Sequence, residues 1–154
     1  MSKKFFAVAI AAATLCVAPA AQQRAADPSV EVYKTPTCGC CSKWIDHMRS
    51  AGFRVRFTDM SKAELDTLKA KHGVPATAQS CHTALAAGYV LEGHVPAGEV
   101  KRLLREKPKV VGIAVPGMPL GSPGMEVEQP HLPPYDVLLF DKQGKTRVFS
   151  TQKP

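Results

Sequence analysis

Four cysteines carry the most reactive chemistry of this 154-residue chain beyond its first segment. Three of them crowd into Cys38-Gly39-Cys40-Cys41, and the fourth, Cys81, lies well downstream. Cys38 and Cys41 form a CxxC pair, a spacing that serves reversible disulfide chemistry, capture of a soft metal ion by two thiolates, or a plain structural disulfide. Imidazoles at His82 and His94 and thioethers at Met118 and Met125 add donors of the kind such a metal takes. Cysteine, histidine and methionine together point to a soft-metal or redox site rather than to acid-base catalysis.

The elements that must position these donors follow from the pattern around them. Val30 to Tyr33 alternates like a strand, Lys34 to Thr37 contains a proline and reads as a loop, and Trp44, Ile45 and Met48 recur at helical spacing until Gly52. The CxxC therefore sits at the N-terminus of a helix spanning about 38–51. Phe53 to Phe57 alternates as a second strand. Ser61 with Glu64 is a capping box for a second helix that ends at His72-Gly73. Two apolar stretches, Cys81 to Leu85 and Tyr89 to Leu91, flank Ala86-Ala87-Gly88 as a hairpin. Pro96 opens a third helix with Val100, Leu103 and Leu104 on one stripe, closed by Pro108. Residues 30–107 thus spell β-α-β-α-β-β-α, the order of a thioredoxin-like α/β fold. Gly112 to Pro134, with its prolines and both Met118 and Met125, reads as one long loop, and Val137 to Phe140 with Thr146 to Phe149 as a closing hairpin.

A helix N-terminus stabilises thiolate through its free N–H groups and positive dipole end, so Cys38 and Cys41 gain nucleophilicity and metal affinity there. Three residues apart, they share a helix face, while Cys40 is expected to point elsewhere. In a glutaredoxin-like arrangement a proline opens the strand opposite the CxxC. Cys81 falls near that position and would face the dithiol as a third sulfur. Pro75 as the equivalent proline, an inert buried Cys81, and a Cys40–Cys81 disulfide are the competing readings. His94, directly after Glu92-Gly93, is expected at the edge where ligand is met. His82 should point to the other face and be structural. Met48 is expected in the core, and His47 and His72 on solvated helix surfaces. Met118 and Met125 either supply thioethers or plug their loop onto the core.

Composition narrows the function classes. Hydrophobic residues make up 45% of the chain and charged residues 21%, which suits one globular domain. The formal net charge of +7 is scattered, with only Lys3-Lys4 and Lys101-Arg102 adjacent, and the aromatic residues sit mostly in apolar runs, so no nucleic-acid partner is expected. Lys3-Lys4, the apolar run Phe5 to Ala18 and Ala18-Pro19-Ala20 read as a signal peptide over residues 1–21, followed by a linker over 22–29 and one domain over 30–154. That run is too short for a span of about 20 residues, so cleavage and export to the periplasm are expected, with no stable membrane span afterwards. Cleavage would remove Cys16 and lower the net charge from +7 to +5. Free thiols in an oxidising compartment then call for metal or redox work.

Several segments together resemble one family. Tyr33-Lys34-Thr35-Pro36-Thr37-Cys38-Gly39-Cys40-Cys41, Ser80-Cys81-His82-Thr83, Gly88-Tyr89 with Glu92-Gly93-His94-Val95-Pro96, Gly117-Met118-Pro119 and Gly121-Ser122-Pro123-Gly124-Met125 look like the CopG-like family. These are exported bacterial copper-resistance proteins with a thioredoxin-like fold, long described only as a domain of unknown function. The likeness runs over about 30–150. It implies copper as the bound metal, held by the cysteines and nearby donors, as a small multi-copper cluster in one form, with a role in handling or interconverting Cu(I) and Cu(II). The expected ligands are Cys38, Cys41, Cys81, His94, Met118 and Met125, and the expected partners are copper ions and other periplasmic copper-handling or electron-transfer proteins. A metal-independent thiol-disulfide oxidoreductase using Cys38 and Cys41 is the alternative. A structural zinc module fits the cysteine count but leaves the methionines unexplained.

Overall fold

In a computed structural model that describes residues 28–154, the chain forms one mixed sheet with helices on both faces. The expected signal peptide and most of the expected linker lie outside the described residues. β1 (Ser29–Lys34), α1 (Gly39–Ser50), β2 (Arg54–Asp59) and α2 (Lys62–Lys71) come first, then a short 3-10 turn, Ala76–Ala78. β3 (Thr83–Ala86), β4 (Tyr89–Glu92), α3 (Ala97–Glu106), β5 (Gly112–Ala114), β6 (Tyr135–Phe140) and β7 (Thr146–Gln152) complete the order. The sheet runs β2-β1-β3-β4-β5-β6-β7, with β1–β2 and β4–β5 parallel and every other neighbouring pair antiparallel. Its first four strands with three helices are the thioredoxin-like unit, and β5 to β7 widen it.

Alternation along the strands separates the two layers. Val30, Val32, Ala84, Leu91, Ile113, Val137 and Leu139 face Trp44, Ile45 and Met48 of α1 and Val100 and Leu103 of α3. Val90, Ala114 and Phe140 face the opposite side with Val74 and Ala78. Met48 is fully buried, as expected. A fully buried Ile or Met contributes about 1.5–3 kcal/mol, so the Trp44, Ile45 and Met48 stripe alone anchors α1 firmly. Trp44 adds direction, because its indole N–H donates to the Val95 carbonyl at 2.8 Å and ties α1 to the segment leaving β4.

Local chemistry sets the boundaries. Ser61 and Glu64 form the capping box reciprocally, with the Ser61 backbone N–H donating to the Glu64 carboxylate at 2.8 Å. Ala87 (φ +48°) and Gly88 (φ +86°) are both left-handed, the geometry a two-residue hairpin turn needs between β3 and β4. The long loop expected from Gly112 is shorter than the sequence pattern implied. Gly112–Ala114 is a buried strand between β4 and β6, where the absence of a side chain at Gly112 lets the backbone approach Val90 closely and Ala114 adds only a methyl group. The final hairpin also extends further than expected, to Tyr135 and Gln152.

Candidate metal centre

α1 begins at the end of the β1 loop, with Cys38 as its N-cap. The Cys38 side chain makes no capping hydrogen bond, which leaves its sulfur free of the helix backbone. Cys38 and Cys41 pair as a disulfide with a Cα–Cα distance of 5.4 Å. Cys40 does not point away. Its Sγ lies 3.5 Å from Cys38 Sγ, and the sulfurs of Cys38, Cys40, Cys41 and Cys81 are all within 4.8 Å of one another. In the first turn a side chain leans toward the helix N-terminus, which brings Cys40 back over Cys38.

Cys81 approaches from the other side. It lies just before β3, and its Sγ is 3.4 Å from Cys41 Sγ. Pro75 caps the 3-10 turn, and its Cβ lies near Gly144 at the β6–β7 turn, so Cys81 faces the dithiol and Pro75 does not. Cys40 and Cys81 are both free thiols. Burial pushes the Cys81 thiol up to about 12, with the neighbouring Cys40 adding to the rise. In the metal-free protein Cys81 is therefore a protonated thiol, and a soft cation would have to displace that proton.

His94 completes this wall. Its Nε2 is 3.0 Å from Cys81 Sγ, and its Nδ1 is 2.8 Å from the Pro123 carbonyl. A carbonyl only accepts, so the hydrogen-bond network assigns the proton to Nδ1 and the lone pair to Nε2, facing the sulfurs. This is how a ligating imidazole is normally oriented by an outer partner. Burial lowers the His94 pKa and keeps the ring neutral.

His82 departs from expectation. Cys81 and His82 precede β3, so strand alternation does not separate them, and His82 Nδ1 lies 3.4 Å from Cys81 Sγ. The ring is fully buried, 4.5 Å from Trp44 and 5.1 Å from His94 between centroids. Burial, followed by electrostatic coupling to His94 and the Lys69 ammonium, holds its pKa well below the ordinary value. Its Nε2 is a buried nitrogen with no hydrogen-bond partner among the described residues. Cys81, His82 and His94 form a second donor group that shares Cys81 with the four-sulfur group.

A buried polar layer holds Cys81 and His94 in register. Glu92 at the end of β4 is fully buried and ion-paired with Lys69 of α2, itself 2% exposed. Thr83 Oγ1 donates to Glu92 Oε2 at 2.6 Å, Lys69 Nζ donates to Thr83 Oγ1 at 2.9 Å, and the Ser80 backbone N–H donates to Glu92 Oε1 at 2.7 Å. Burial raises the Glu92 pKa, opposed by the Lys69 ammonium and by these hydrogen bonds. One carboxylate thus fixes the residue before Cys81 and lies two residues from His94. Lys69 was not foreseen, because only the tertiary fold brings α2 under the hairpin.

The Pro/Gly loop closes the third side. Gly117 bridges Ser80, and Ser80 Oγ donates to the Gly117 carbonyl. Gly124 (φ +89°) lies so close to α1 that a Cβ there would meet the Cys40 carbonyl at 2.6 Å and the Trp44 nitrogen at 3.0 Å. Met118, next to Gly117, is 52% exposed, and Met125 is half-buried. His47, expected to be solvated, is half-buried and accepts the Ala97 N–H on Nε2 at 3.0 Å, capping the start of α3.

With the Cys38–Cys41 disulfide reduced, the donor chemistry fits a soft, thiophilic cation: four cysteine sulfurs and the neutral imidazoles of His82 and His94, of which His82 Nε2 has no hydrogen-bond partner among the described residues. Among the described residues no helix is long and apolar enough to cross a membrane. Residues 78–125, which hold Cys81, His82, His94 and both loop methionines, match the family described as "Protein of unknown function, DUF411". Two solved structures are similar over nearly their whole length, and both are of a copper resistance protein CopG. Its form 2 is 40% identical with a TM-score of 0.73, covering 82% of this chain and 98% of that one. Its form 1 is 37% identical with a TM-score of 0.76, covering 83% and 100%. Among curated proteins no sequence match is found.

Proposed function

We propose, for a chain that belongs to the CopG-like family of copper resistance proteins, that it takes up copper as Cu(I) in the periplasm and exchanges electrons with it. The observation that carries this reading is the sharing of Cys81 by a four-sulfur group and a cysteine-histidine group. A sulfur common to two donor sets can bridge ions, which supports binding of more than one copper. Cys38, Cys41 and Cys81 would be the principal thiolate ligands with His94, joined by Cys40 and His82, and with Met118 and Met125 covering the open side. Thiolates and thioethers favour Cu(I) over harder ions. Closing Cys38 and Cys41 to a disulfide releases two electrons and two protons, enough to take two Cu(II) ions to Cu(I).

The test is an anaerobic Cu(I) titration of the reduced protein, following thiolate-to-copper absorption and free-thiol count together. Absorption should grow as thiols disappear, with zinc displaced by copper, and Cys81→Ser should weaken binding most. Met118→Leu should lower affinity without changing stability, since an exposed side chain contributes within about 0.5 kcal/mol. No sulfur-to-copper absorption, or binding that survives Cys81→Ser intact, overturns the reading. The signal-peptide pattern supports a periplasmic location, and other copper-handling or electron-transfer proteins there would be its partners.

A second reading is favoured by one observation, the Cys38–Cys41 disulfide. A metal-independent thiol-disulfide oxidoreductase would use Cys38 to attack and Cys41 to resolve. Turnover of a disulfide substrate, undiminished by a Cu(I) chelator and retained in Cys81→Ser, would select it.

A further inference from the structure

Each end of the Cys38–Cys41 disulfide has a free thiol against it: Cys40 Sγ lies 3.5 Å from Cys38, and Cys81 Sγ lies 3.4 Å from Cys41. The two contacts are not equivalent. A Cys38–Cys40 link would join residues two apart at the start of a helix, a tight ring at the point where the backbone must turn. A Cys41–Cys81 link would join α1 to the β3 wall, which is already seated by Glu92 on the Ser80 N–H and by the Ser80–Gly117 bridge. Cys81 also has a base within reach, because His94 Nε2 is 3.0 Å from its sulfur and His94 Nδ1 is anchored on the Pro123 carbonyl. Nucleophile, base and an orienting acceptor are within hydrogen-bond reach of one another, so the His94 lone pair is placed to take the Cys81 proton as the sulfur attacks.

We propose that Cys81 is an internal resolving thiol that moves the disulfide within the protein. The Cys81 sulfur attacks Cys41 Sγ, its proton passes to His94 Nε2, the Cys41–Cys81 bond forms, and the Cys38–Cys41 bond breaks with Cys38 leaving as thiolate. No electrons enter or leave, so no outside oxidant or reductant is required. The bond shifts inward between buried Cys41 and half-buried Cys81, and the freed thiolate appears at the N-cap of α1, where the helix dipole stabilises it. A protein holding one disulfide would thereby present a reactive Cys38 to a redox partner while keeping the oxidising equivalent inside. This role of Cys81 goes beyond the copper reading and stands without it.

The test uses copper-free protein on a Cys40→Ser background, oxidised to one disulfide, acid-quenched, alkylated with a maleimide and mapped by mass spectrometry. Two isomers are expected, Cys38–Cys41 with Cys81 labelled and Cys41–Cys81 with Cys38 labelled. Labelling of Cys38 should fall by about tenfold or more when Cys81→Ser is added, because the route to its thiolate is gone. Oxidised Cys38→Ser on the same background should form the Cys41–Cys81 link. Equal protection of Cys38 with and without Cys81, together with a Cys38→Ser protein in which Cys41 and Cys81 are both labelled after oxidation, overturns the proposal. Far-UV circular dichroism of each variant confirms that the comparison is between folded proteins. With no copper present, failure here leaves the outcome of the copper titration untouched.

Discussion

The wall of the sulfur cluster formed by α1 and the wall formed by the ends of β3 and β4 differ in what holds them. α1 carries Cys38, Cys40 and Cys41 on a helix whose inner stripe, Trp44, Ile45 and Met48, is buried in a continuous apolar core. Cys81 and His94 belong to no helix or strand, and depend on one buried carboxylate, one lysine and a loop carbonyl. An apolar wall spreads its stability over many weak contacts and tolerates small losses. A polar wall concentrates it in a few atoms, each of which is costly to leave without a partner.

The sharpest way to break this contrast is to remove the carboxylate. Glu92→Leu should cost about 3–5 kcal/mol in urea unfolding of the reduced, copper-free protein, because Lys69 would remain as an unpaired buried charge. Adding Lys69→Met should recover most of that loss. In the apolar wall, Ile45→Val should cost only about 0.5–1.5 kcal/mol. Equal costs in the two walls would end the contrast.

A smaller effect is expected from Gly124→Ala, which acts where the loop touches both walls. The left-handed backbone and the approach to the Cys40 carbonyl predict a strain of about 1–3 kcal/mol. Lifting the loop removes the Pro123 carbonyl from His94, so Cu(I) affinity measured against a chromophoric chelator should drop by about 10–100-fold, the usual cost of losing an outer partner. Unchanged affinity would mean that the loop does not orient His94.

The smallest effect concerns His47, which joins α1 to α3. Burial lowers its pKa, opposed by Glu126, so the folded protein resists protonating it. The unfolded chain takes up that proton near pH 6.5. Acidification therefore favours the unfolded state: the contribution is present above about 6.5 and is lost as the pH falls below that value. Comparison of pH–stability curves should show a shallower acid slope for His47→Phe, with about 0.5–1 kcal/mol at stake for one half-exposed hydrogen bond.

The apolar wall was the legible one. Strand, proline loop and helical spacing locate Cys38 and Cys41 at a helix start, and the Ser61–Glu64 box marks α2, because these signals are local. The approach of Cys81 to the dithiol followed from strand order and hairpin position. What the sequence withheld depends on side-chain reach across the fold. Strand alternation sends His82 to the opposite face, but alternation does not apply before β3 begins. Ideal helix spacing sends Cys40 outward, whereas it occupies the first turn and leans back over Cys38. The Lys69–Glu92 pair spans 23 residues and two elements, and no local pattern encodes it. β5 was hidden because a three-residue strand containing glycine, beside a proline-rich segment, reads as loop.

The separations within the cluster also order its assembly. Cys38 and Cys41 are three residues apart, whereas Cys41 and Cys81 are 40 apart. Loop-closure entropy favours the shorter encounter by about 2 kcal/mol in a flexible chain. During oxidative refolding the CxxC therefore closes first, and Cys81 arrives at a sulfur pair that is already joined. The order in which the chain finds these thiols thus spares it long-range mispairings within the four-cysteine cluster.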